Sequence, residues 1–165
     1  MHDRPPERTI RGTAFHEAGH AVAALASGFE FPDVSIEPTV VDGVERYGSV
    51  TNVTIPTAKP WSPLTPELAY EGAIFYMAGP EAELMETGRD VGREADRLRA
   101  NALVEPGRTP AEADAEVQRA ADEARALVMA CRAEVRALAE ALLEQGRLAY
   151  SEVVRIAGAV RRRRS

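Results

Sequence analysis

The chain is poor in residues that carry several common kinds of chemistry. Among its 165 residues there is one cysteine, Cys131, so no internal disulfide can form. Cys131 falls in the run Leu127, Val128, Cys131, Val135, Leu138, Leu142, whose helical spacing predicts core packing rather than metal binding or catalysis. The only lysine, Lys59, follows Ala58, whereas a phosphate-binding loop of the form G-x-x-x-x-G-K-S/T needs its lysine after a glycine. No apolar run approaches the roughly 18 residues needed to span a bilayer. The opening stretch Met1–Arg11 is polar, charged and proline-bearing, unlike a secretory leader. Together these features predict a soluble, cytoplasmic protein without a membrane span.

What is present points to an ordinary globular chain. Apolar residues make up 45% and charged residues 28%, enough at this length for one core without covalent staples. A single domain over 1–165 is expected, with 1–8 and 161–165 as flexible tails. The formal charge is −6, yet the chain closes on Arg161-Arg162-Arg163-Arg164-Ser165; removing those four positive charges would leave −10. Such a run reads as a solvated helix end, favourable at the C-terminal end of a helix dipole, and no nucleic-acid-binding module accompanies it.

Two of only three histidines lie four residues apart, in Thr13-Ala14-Phe15-His16-Glu17-Ala18-Gly19-His20-Ala21-Val22. On a helix that spacing puts both rings on one face, one turn apart. Two neutral imidazoles so placed can share one zinc ion. Glu17 is rotated off that line, where its carboxylate can take a proton from a water at the metal, the arrangement of a metallopeptidase. The flanks favour a helix: alanines dominate, Thr9 suits the N-cap, and Ser27-Gly28 suits the stop. Gly19 costs about 1 kcal/mol against alanine inside a helix. Its presence predicts close approach of another backbone, such as a neighbouring strand. The competing reading, two histidines on a half-buried face, leaves the position of Glu17 unexplained.

Further along, Asp33–Glu37 and Ser49–Ile55 alternate polar and apolar residues as half-buried strands do, with Asp42-Gly43 as a turn signal between them. They predict a small antiparallel sheet beside the histidine helix; a free edge there would accept a peptide by main-chain hydrogen bonds, whereas a buried or capped edge would not. Pro56–Pro66, with four prolines around Lys59 and Trp61, predicts a loop near the cleft. Thr65-Pro66 and Thr109-Pro110 each read as a cap followed by proline at the first helical position. Gly79-Pro80 predicts a helix break. From Thr109 one long helix is expected to reach about Gln145, and Ser151 to cap a last one.

A catalytic zinc takes three protein ligands and keeps one position for water. The class with a third histidine six residues beyond the second is excluded, because Ala26 stands there and Ala23 replaces its glycine. His2 lies in the N-terminal tail. A carboxylate is therefore expected, from among Glu81, Glu83, Asp90 and Asp96.

Phe15-His16-Glu17-Ala18-Gly19-His20-Ala21-Val22 resembles the signature of the FtsH-type (peptidase M41) zinc proteases. Ala78-Gly79-Pro80-Glu81-Ala82-Glu83 is similar to that family's Gly-Gly-Arg-x-Ala-Glu segment, and Gly92–Ala100 to the segment whose aspartate is the third zinc ligand. The likeness covers about residues 9–157, with Leu138–Glu144 and Leu148–Ile156 similar to the closing helices. It departs at Pro80 and Glu81, at Val91 where the family has threonine, and in the lack of an ATPase module. The resemblance implies a mostly helical α+β, zincin-like domain with a small sheet beside the motif helix and a C-terminal helical bundle. It further implies Zn²⁺ on His16, His20 and Asp96, with Glu17 as general base and a polypeptide substrate. Glu83 is a candidate to hydrogen-bond a ligand histidine. A separate ATPase or regulatory partner, and assembly of several copies, are also implied. The rival expectation is a catalytically silent binding or regulatory module on the same fold.

Overall fold

The computed structural model describes residues 9–41, 43–50, 53 and 63–164. The N-terminal tail with His2, and Lys59 and Trp61 of the proline-rich loop, lie outside the described residues.

Helix α1, Ile10–Ser27, is the element on which the others pack. Thr9 caps it through a side chain that accepts from the Gly12 N–H, and Gly28 ends it in the left-handed region at φ +71°. Every residue from Gly12 to Ala24 is buried. A surface helix buries one stripe; a helix covered on all sides belongs in the core, and this one can be enclosed because most of its residues are small. Helices α2 (Pro66–Thr87) and α5 (Arg132–Gln145), together with two strands, close around it.

Strands β1 (Asp33–Val41) and β2 (Val44–Val50) pair antiparallel, and β3 (Arg147–Ala149) adds to the other side of β1, giving the order β2-β1-β3. Val34 is opposite Val50 on one side and Leu148 on the other. The pairing shifts between Ser35 and Pro38. Proline cannot donate to a ladder, and such irregularities are where a strand tolerates it. The second strand lies upstream of the expected run at 49–55. Gly43 has φ +76°, and the pairing includes Val41 opposite Val44. Apart from Val53, residues 51–55 lie outside the described residues.

Two helices differ from expectation. Helix α2 runs unbroken through Gly79-Pro80. An internal proline costs about 3 kcal/mol or more, and burial of Ala73, Met77, Ala78 and Ala82 against the neighbouring helices offsets it. The expected long helix is instead α4 (Pro110–Ala130) followed by α5, divided at Cys131, whose backbone leaves helical geometry at φ −101°, ψ +23°. Cys131 is half-buried at that joint and packs against the core edge. Between α2 and α4, α3 spans Arg93–Val104; the last helix, α6, spans Tyr150–Arg164. Residues 161–164 continue α6, and Ser165 lies outside the described residues. The protein is mostly helical with one small antiparallel sheet, and among the described residues no helix is long and apolar enough to cross a membrane.

Candidate metal centre

Burying a charge or an unpaired polar group is costly, so ionisable side chains that meet inside a core need a reason to be there. Here His16 and His20 on α1, Glu83 on α2 and Asp96 on α3 are each less than a tenth exposed. They converge where α1, α2 and α3 meet.

The two helices can approach because each has a glycine at the crossing. A β-carbon on Gly19 would lie 2.4 Å from the Ala78 carbonyl oxygen and 2.6 Å from the Ala82 β-carbon. The close approach expected at Gly19 is therefore real, but it is made by helix α2 and not by a strand. On the facing helix, Gly79 leaves the space that the His20 imidazole fills.

Each imidazole is oriented from behind. His16 Nδ1 is 3.0 Å from Glu83 Oε2, and His20 Nδ1 is 2.8 Å from the Phe75 carbonyl oxygen. A carbonyl only accepts, so His20 donates Nδ1–H and its Nε2 carries the lone pair. A carboxylate partner sets His16 the same way. The two Nε2 atoms then face each other at 3.0 Å, and Asp96 Oδ2 lies 2.9 Å from that of His16 and 3.6 Å from that of His20. Three electron-pair donors at one point repel unless something positive lies between them.

Their spacing suits a small cation. Ligand atoms 2.0–2.1 Å from a tetrahedral metal are about 3.3 Å from one another, close to the separations seen. His16, His20 and Asp96 could therefore hold a metal ion.

The other acids that sequence left open as third ligand are placed elsewhere. Glu81 is buried between Arg93 Nη2 at 2.6 Å and Arg125 Nε at 2.9 Å. Asp90 pairs with Arg93 at the start of α3. Glu83 backs His16 and is not in the ligand triangle. Glu17, buried on the adjacent face of α1, lies under strand β2. A β-carbon on Gly48 would come within 2.5 Å of Glu17 Oε1.

Several contributors were not anticipated. Gly48 and Gly79 each mark a close approach that a lone glycine in a strand or helix hints at. The Phe75 carbonyl has no side-chain signal at all. Arg99, half-exposed, donates to Asp96 Oδ1 at 3.0 Å and stands one helical turn after it. No protein-family model and no curated protein sequence matches this chain, so its site is read from its own geometry.

Proposed function

We propose that this chain is a zincin-like, zinc-dependent metallopeptidase. The observation that carries the reading is the convergence of His16 Nε2, His20 Nε2 and Asp96 Oδ2 on one point while both Nδ1 atoms face outward to acceptors. Two nitrogens, one carboxylate oxygen and a buried setting suit Zn²⁺ better than the oxygen-seeking Ca²⁺ or Mg²⁺. A bound zinc ion would supply Lewis acidity, polarising a carbonyl and acidifying water.

The chain's own residues supply the rest. Glu83 and the Phe75 carbonyl fix the tautomer and plane of the two imidazoles, so neither ring must reorganise on loading. Glu17 acts as general base and then general acid. Its carboxylate takes one proton from the attacking water as the new C–O bond forms, then delivers it to the amine nitrogen as the C–N bond breaks. Beta-strand β2 passes over Glu17 at Gly48, so a polypeptide lying along that strand would present its carbonyls near the base. In this reading the substrate is an unfolded segment or peptide, or a polypeptide presented by a separate ATPase or regulatory partner.

Metal analysis of the purified protein by mass spectrometry, with casein digestion by wild type and Glu17→Gln, tests this. Stoichiometric zinc in both proteins and cleavage by wild type alone is the expected result. Zinc without cleavage in either would instead favour a binding or regulatory module, and protein without zinc would remove the reading altogether.

A further inference from the structure

Asp96 presents its two oxygens to different partners. Oδ2 faces the two imidazoles, whereas Oδ1 is 3.0 Å from Arg99 Nη1. The carboxylate is buried, but Arg99 is half-exposed, so the guanidinium reaches the acid from the solvent side of α3. The neighbouring arginines on that helix are engaged elsewhere: Arg93 with Glu81 and Asp90, and Arg97 with Asp114.

We infer that Arg99 is a positioning residue that holds Asp96 to one-oxygen ligation of the metal. A free carboxylate can swing about its Cβ–Cγ bond and offer both oxygens to a cation, filling the position that a catalytic site must leave for water. A guanidinium hydrogen bond to Oδ1 is charge-assisted, roughly twice as strong as a neutral one, and ties up the second oxygen. It also sets a positive charge beside a centre that already buries two carboxylates, Glu83 and Asp96. Because the two residues are three apart on one helix, a rigid element fixes the geometry and no loop needs to close.

This inference rests on the metal reading above, and its test separates the two. The probe is Co²⁺, whose visible d–d absorption is intense in four-coordinate sites and weak at higher coordination. The full chain is stripped of metal, loaded with Co²⁺, and titrated against a chelator, as wild type, Arg99→Ala, Arg99→Lys and the control Arg97→Ala. Arg99→Ala should bind Co²⁺ roughly 10–100-fold more weakly, the usual cost of losing a partner behind a metal ligand, and its absorption should weaken. Arg99→Lys should fall between it and wild type, and Arg97→Ala should match wild type. Should Arg99→Ala fail to fold, the spectrum of Arg99→Lys decides: a band weaker than wild type supports the inference, and an unchanged one overturns it. Wild-type affinity in Arg99→Ala, or weaker affinity with an unchanged spectrum, also overturns the inference while leaving the metal reading intact. Failure of wild type to bind Co²⁺ overturns both.

Discussion

The imidazole of His20 lies against Gly79 so closely that a methyl group there would sit 2.4 Å from Nε2 and 2.6 Å from Cε1. Gly79→Ala must therefore push the ring away from Asp96 or force α2 off α1. Overpacking of this kind costs about 1–3 kcal/mol, more than the roughly 1 kcal/mol that alanine returns in helix propensity. The variant is expected to lose metal and to melt lower than wild type, as read by metal analysis and by calorimetry.

Asp96 and Asp90 offer the sharpest contrast, since both are acids near the start of α3. Asp96→Ala should abolish stoichiometric metal binding, because it removes one of three ligands. Asp90→Ala breaks only a half-buried pair with Arg93 and should keep the metal. The reverse pattern in a metal assay would overturn the ligand assignment.

Glu83→Gln keeps the size of the side chain that backs His16 but removes its charge. The amide oxygen can still accept from Nδ1, so the fold should persist, while the imidazole becomes a poorer donor to a cation. Metal affinity should drop roughly 10-fold or more, measurable by competition with a chelator, with little change in the far-ultraviolet circular dichroism.

Gly48 combines a positive φ of +83° with a neighbour, Glu17 Oε1, within 2.5 Å of where a β-carbon would go. Gly48→Ala should displace the Glu17 carboxylate without touching the metal ligands. Peptide cleavage should fall at least 10-fold while bound zinc stays stoichiometric. Unchanged cleavage would separate Glu17 from the proposed chemistry.

Much of the site was legible in the sequence because helical spacing is short-range. His16 and His20 announce their shared face, and Thr9, Thr65 and Thr109 announce the starts of their helices. Where non-local packing decides, the sequence was less informative. Pro80 reads as a stop, yet burial of α2 on neighbouring helices keeps the helix continuous. No glycine or proline marks the joint at Cys131, so one long helix was expected where there are two. Strand β3 is three residues long, with only Leu148 buried, too short for alternation to register. Which acid completes the triangle was open to periodicity alone, because it depends on where α3 packs; family resemblance pointed to Asp96, and Asp96 is the acid that meets both histidines.

Asp96 rides on a short helix that buries only itself, Ala100 and Val104. With so little apolar grip, α3 is the part of the centre least secured by packing. An ion coordinated there would act as a bolt between α1 and α3, and loading at 100 times its dissociation constant would stabilise the native state by about 2.7 kcal/mol. Chelation should therefore be felt first as faster amide hydrogen exchange in α3, with α1 still protected. The supply of metal would then govern how long the folded chain survives.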